Sequence, residues 1–140
     1  MAAYVKYQNF VEDLCKGVHQ LHAAGHTLKL MLSNSAPNVA THVVRADSTE
    51  LSGGGGYTSG GEDMQNDMTE SGGTATVTAV DIVWTATTGF GPFRYPIAYN
   101  DTPAGPVDPL ISHWDYGSGV TLAAAETFTA DFGASLFTLA

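Results

Sequence analysis

The chain has very few basic side chains. Only five of its 140 residues are lysine or arginine, against 14 aspartates and glutamates, and the formal net charge is −9. Proteins that contact the phosphate backbone of nucleic acids need clustered cations, so we expect no direct nucleic-acid partner. Charged residues of both signs amount to 14%, well below the usual ~25%. Interfaces between proteins are depleted in lysine and glutamate in a similar way.

Paired cysteines and long apolar runs are also missing. Cys15 is the single cysteine, which excludes an internal disulfide framework. No apolar run approaches the ~20 residues that span a bilayer, so we expect no membrane partner. The N-terminus lacks a basic segment followed by an apolar stretch and a small-residue cleavage site, and we expect no signal peptide.

The pattern along the chain predicts one helix followed by strands. A single domain over residues 1–140 is the expectation for this length. Apolar residues recur at the i, i+3, i+4, i+7 spacing of an amphipathic helix, which predicts a helix over about 3–24. Short strand patterns separated by turn signals predict a β-sandwich over about 27–139. The expected fold is therefore mainly β, a β-sandwich or jelly roll with one N-terminal amphipathic helix. The apolar stripe of this helix consists of Phe10, Leu14, Val18 and Leu21.

Residues 52–73 are rich in glycine, serine and acidic side chains. Loops longer than ~12–15 residues are usually functional or disordered, so we expect a flexible loop here that could contact a partner. The candidate contact residues within it are Glu62, Asp63, Met64, Asp67 and Met68.

Two aromatic segments, 93–99 and 110–116, alternate large apolar residues with others and flank a proline-rich connector. Side chains of a strand alternate between its two faces, so both segments are predicted strands of one hairpin. The register that best pairs their side chains places Tyr95 opposite Trp114. The same register sets Phe93 against Tyr116 and Tyr99 against Leu110.

Arg94 and Asp115 face each other in that register and form a predicted ion pair. They are a further candidate contact with a neighbouring subunit, although a solvated surface pair is the preferred interpretation. Proline cannot donate a ladder hydrogen bond. Pro92 and Pro96 therefore indicate an edge strand, or one whose outward side is unpaired near the prolines.

No motif indicates catalysis, a cofactor or a metal. His19 and His22 have the spacing of a helical metal pair and His26 lies nearby, but no carboxylate or further motif completes a site. The glycine run at 53–56 lacks the ending of a phosphate-binding loop. We expect no enzyme activity and no cofactor. Strand alternation predicts that Trp84 and Trp114 are buried, whereas a carbohydrate-binding module would expose such a side chain in a groove.

Several segments resemble a family of small virion proteins of tailed bacteriophages, some of which look like capsid decoration (cement) proteins. The resemblance lies in residues 7–14 (YQNFVEDL), 27–37 (TLKLMLSNSAP), 91–101 (GPFRYPIAYND), 108–118 (DPLISHWDYGS) and 126–132 (ETFTADF). The chain departs from the family pattern at 61–74, where an insert containing methionine and acidic residues lengthens the loop.

The resemblance implies a non-catalytic protein, made in the host cytoplasm, that binds the outer capsid surface of the virion and stabilises the shell. Its implied partners are the major capsid protein and copies of itself, with a trimer at three-fold positions. A tail, connector or baseplate component is an alternative, and so is a carbohydrate-binding β-sandwich module.

Overall fold

The computed structural model describes residues 2–140, and these form a mainly β structure. The described part contains one α-helix, α1 (Gln8–Cys15), and a 3-10 turn at Arg45–Asp47. The strands are β1 (Tyr4–Lys6), β2 (Leu28–Ser33), β3 (Glu62–Asp63), β4 (Asp67–Ser71), β5 (Thr74–Thr78), β6 (Ile82–Thr85), β7 (Gly89–Phe93), β8 (Tyr95–Asn100), β9 (Leu110–Trp114), β10 (Val120–Ala123), β11 (Thr127–Ala130) and β12 (Phe137–Leu139).

The strands form two layers around one main core. The first layer is a five-stranded antiparallel sheet in the order β1-β9-β8-β2-β3. The second layer consists of the sheet β12-β5-β4 and the pairs β11-β6 and β10-β7. The predicted mainly β, sandwich-like fold with one helix is confirmed. Buried core side chains from both layers include Leu28, Leu30, Leu32, Val77, Trp84, Phe90, Phe93, Trp114 and Phe128.

The outer face of the five-stranded sheet is buried as well along its three inner strands, β9, β8 and β2. Its apolar cluster is covered by the segment 34–48, which is tied down by hydrogen bonds from the Gln8 N–H to the Val39 carbonyl and from the Leu110 N–H to the Val43 carbonyl, at 3.0 and 2.9 Å. Every residue of β8 and β9 is consequently buried. The outer cluster consists of Tyr7, Met31, Tyr95, Ile97, Tyr99 and Leu110.

The helix is much shorter than the predicted 3–24. Tyr4–Lys6 is a strand of the five-stranded sheet, and α1 covers only Gln8–Cys15. Gly17 has φ +77°, the left-handed conformation in which helices commonly end at glycine. Leu21 is still buried in the main core, but it reaches the core from irregular backbone. The apolar spacing therefore identified two buried residues, Phe10 and Leu21, and two half-buried ones, Leu14 and Val18, but it overestimated the length of the helix.

Seven residues of the predicted loop over 52–73 lie in strands β3 and β4 instead. β3 pairs with β2, and β4 pairs with β5. The glycines before them permit close backbone contact: a Cβ on Gly55 would lie 1.8 Å from the Gly89 carbonyl oxygen, and one on Gly61 would lie 1.9 Å from that of Leu30. Gly55 and Gly61 therefore serve packing, because a side chain at either position would collide with neighbouring backbone.

The predicted hairpin register is correct at one end only. Tyr99 pairs with Leu110 as expected, but the register then shifts, and Ala98 pairs with Ser112. Ile111 is thus the extra residue of a β-bulge, which moves the rest of the strand by one position. Tyr95 lies in the outer cluster and Trp114 in the main core, so the predicted pairing of these two is wrong. Phe93, moreover, belongs to β7 in the second layer.

β8 is the centre of its sheet, so the expectation of an edge strand is wrong. Pro96 pairs with Leu32 of β2. The ladder with β9 starts only at Ile97, which leaves Pro96 outside it on that side. The structure agrees with the alternative prediction, in which the strand is unpaired on one side near the proline.

We predict that Gly61→Ala destabilises the protein more than Gly73→Ala. Both glycines have positive φ, +73° and +85°, so both substitutions carry the ~1–2 kcal/mol cost of that conformation. Only Gly61 would in addition collide with backbone, whereas nothing lies within 4 Å of a Cβ on Gly73. The overpacking should add about 1–3 kcal/mol. Urea unfolding of the two variants measures the difference, and equal midpoints would contradict the close docking of this segment.

Candidate functional site

Arg94 and Asp115 form the predicted ion pair. Arg94 Nε and Nη2 lie 2.6 and 3.0 Å from the two Asp115 carboxylate oxygens. The Arg94 side chain and a hydrogen bond from the Gly117 N–H lower the pKa of Asp115 to about 2. The side chains are 36% and 41% exposed. The pair is therefore accessible to a partner, but its charges already neutralise each other.

The candidate contacts between 62 and 68 do not form one surface. Glu62, Asp63 and Asp67 are exposed, whereas Met64 has no exposed area and Met68 packs partly against the main core. Met64 is held inside because its N–H donates to the Leu28 carbonyl and its carbonyl accepts from the Val80 N–H. Met64 as a partner contact is consequently wrong in this fold, and the acidic side chains remain.

Two of the three histidines clustered at positions 19, 22 and 26 meet at a buried asparagine. The Asn100 side-chain nitrogen lies 3.0 Å from Nδ1 of both His19 and His26. The Thr102 N–H donates to the Asn100 side-chain oxygen, which orients the amide nitrogen towards the two rings. Both rings then accept at Nδ1 and carry their proton on Nε2. Within residues 2–140, no group of three or more His, Cys, Asp or Glu side chains could hold a metal ion.

We predict that protonation of His19 destabilises the protein in mild acid. Burial, and to a smaller extent the charge of His26, lowers the pKa of His19 to about 4, from ~6.5 in an unfolded chain. The unfolded state binds more protons between these values, so stability is full above pH ~6.5 and falls by about 3 kcal/mol towards pH 4. His19→Gln should flatten this dependence, measured as the free energy of unfolding against pH.

The exposed His22 supplies the control for that measurement. His22→Gln should keep the pH dependence of the parent protein. A His19→Gln variant with the parent's slope would show that other groups, such as the carboxylates, account for the acid sensitivity.

A polar network surrounds Glu50, and no motif in the sequence predicts it. Its carboxylate accepts hydrogen bonds from Arg45 Nη2 at 2.6 Å, the Tyr57 hydroxyl at 2.7 Å and the Gly60 N–H at 2.5 Å. Burial raises the pKa of Glu50, but these hydrogen bonds outweigh burial and leave it lowered. The network borders a cleft of about 410 Å³. Because the Glu50 oxygens and the Arg45 guanidinium already have partners, we assign the network to joining the segments around 45, 57 and 60.

An apolar groove lies between α1 and β12. It has a volume of about 630 Å³, within the ~300–1,000 Å³ of typical binding pockets. Aromatic rings line it: the centroid of the Phe137 ring lies 5.8 Å from that of Tyr4 and 5.5 Å from that of Phe10. Two further lining residues, Val11 and Leu139, are 45% and 56% exposed. This groove was not predicted, because it depends on bringing the two ends of the chain together.

The apolar surface continues past β12. A second cleft of about 370 Å³ shares Leu14, Phe137 and Leu139 with the groove and extends to Leu21 and Met68. β12 thus stands between two apolar depressions. Exposed apolar area that is continuous over several elements is characteristic of surfaces that bind another molecule.

Lys6 lines the same groove and differs from the other basic residues in its ion pairing. The remaining four lysines and arginines each form an ion pair: Lys16 with Glu12, Lys29 with Asp101, Arg45 with Glu50 and Asp108, and Arg94 with Asp115. Lys6 has no ion-pair partner among residues 2–140. Its ammonium group is therefore free to meet a carboxylate from outside.

Both tryptophans are buried, as strand alternation predicted. Trp84 is 2% exposed and Trp114 is 4% exposed. Neither can provide the flat exposed ring on which a sugar stacks. No helix in the described part of the chain has the length and apolar character needed to cross a membrane.

Comparison with known proteins found no matching family model, no matching curated protein and no matching solved structure.

Proposed function

We propose that this chain is a structural protein of a tailed bacteriophage that binds the outside of the capsid and stabilises the shell. The observation that carries the proposal is the groove between α1 and β12, a concave apolar surface on which Val11 and Leu139 are exposed. Such a surface suits a protein that binds its partner by burying apolar area and does not catalyse a reaction. The resemblance of segments such as 91–101 and 108–118 to virion proteins supplies the identity of the partner.

The proposed partners are the major capsid protein and further copies of this chain, arranged as a trimer around three-fold positions of the shell. The low content of lysine and glutamate supports a protein whose surface is in contact with other proteins, because protein interfaces are depleted in these residues. A net charge of −9 keeps the free protein soluble and separate before assembly.

A tail, connector or baseplate location is the alternative to the capsid. It would use the same groove, so the structure favours neither position. The carbohydrate-binding alternative loses its main support, because both tryptophans that could have stacked on a sugar are buried.

We predict that the purified protein binds capsid shells that lack it and raises their resistance to heat. A ligand that binds only the intact shell stabilises it by mass action, by about 2.7 kcal/mol per site at a concentration 100 times Kd. Shells are mixed with increasing protein, pelleted to measure binding, and heated to measure disruption by light scattering. Heated protein that has lost its fold serves as the control.

The location of the chain in the particle decides between the alternatives. Cryo-electron microscopy of the virion should place it on the outer shell. Its presence only in purified tails would overturn the capsid proposal in favour of a tail component.

A further inference from the structure

The groove between α1 and β12 has features that select one kind of occupant. It is flanked by β1 and β12, and each is the last strand of its sheet. The hydrogen bonds of the described residues include none to the outer edges of these two strands. The backbone N–H and C=O groups there can therefore pair with an added strand.

The side chains around these edges add a second requirement. The groove wall is apolar and exposed at Val11 and Leu139, so it accepts apolar side chains. Lys6 lies on β1 at the same groove and has no ion-pair partner in the described part of the chain, whereas every other basic side chain has one. A free cation beside an apolar groove on an acidic protein is complementary to an apolar segment that carries a carboxylate.

We propose that the groove binds an extended segment of the partner protein that adds a strand at β12, inserts apolar side chains beside Leu139 and places a carboxylate on Lys6. This inference rests on the proposed function, which makes the partner the major capsid protein. It goes further in naming the contact surface and the chemistry of the segment that fits it. Arg94 and Asp115, a candidate contact from the sequence, then have no part in docking, which agrees with their preferred interpretation as a solvated surface pair.

Two pairs of variants test the contact in the shell-binding assay. Lys6→Glu reverses the free cation and should weaken binding about tenfold or more. Arg94→Glu makes the same change of net charge at the other candidate contact and should bind like the parent. Leu139→Thr should weaken binding to a similar degree, whereas Val83→Thr should not, although Val83 is equally exposed at 58%. Thermal melts confirm that each variant is folded.

Hydrogen exchange of the full chain measures the added strand directly. The amides of Phe137–Leu139 that point away from β5 should exchange quickly in the free protein and slowly on the shell. Shell binding by the parent with unchanged exchange at β12, or with Lys6→Glu and Leu139→Thr binding normally, overturns the inference and leaves the proposed function intact.

Two other outcomes are distinguishable. If the parent protein does not bind shells at all, the proposed function fails and this partner fails with it. If sedimentation shows concentration-dependent oligomers that Lys6→Glu and Leu139→Thr abolish, the occupant is a second copy of this chain, and the proposed capsid segment is wrong.

Discussion

The structure depends on a five-stranded sheet whose three inner strands, β9, β8 and β2, are buried on both faces. Sheets with one solvated face can alternate apolar and polar residues, but a sheet covered on both sides needs apolar or satisfied side chains at every position. All residues of β8 and β9 are buried, and the polar ones among them are Asn100, Ser112 and His113. The buried polar residue Asn100, at the end of β8, has the two histidines and Thr102 as partners.

The outer face of this sheet is covered by connecting segments, and their contacts hold them in place. The segment 34–48 lies over the outer cluster, and the Arg45–Glu50 pair together with Tyr57 joins it to the glycine-rich segment that follows. That segment can come close enough only because Gly61 has no side chain against the Leu30 carbonyl. Gly61 and the Glu50 carboxylate therefore both contribute to covering the outer face of the five-stranded sheet.

The features that were predictable from sequence are those set by local alternation. The mainly β fold and the burial of both tryptophans follow from a period of two along single strands. The Arg94–Asp115 pair forms although the register from which it was predicted shifts by one residue. The predictions of strand register and helix length were wrong where a single residue changes the backbone geometry. Ile111 adds a bulge that separates Tyr95 from Trp114, and Gly17 ends a helix whose apolar spacing continues to Leu21. The groove lay beyond prediction because β1 and β12 come from opposite ends of the chain.

The short helix also explains why the groove exists. A helix over the predicted 3–24 would be about 33 Å long at 1.5 Å per residue, whereas the eight residues of α1 extend about 12 Å. The first residues of the predicted helix instead form β1, which ends the five-stranded sheet. α1 buries Phe10 but leaves Val11 and the neighbouring β12 exposed. The main core is thus enclosed, whereas the edge formed by β1 and β12 is open to solvent, and Lys6, which has no ion-pair partner among residues 2–140, lies at this edge.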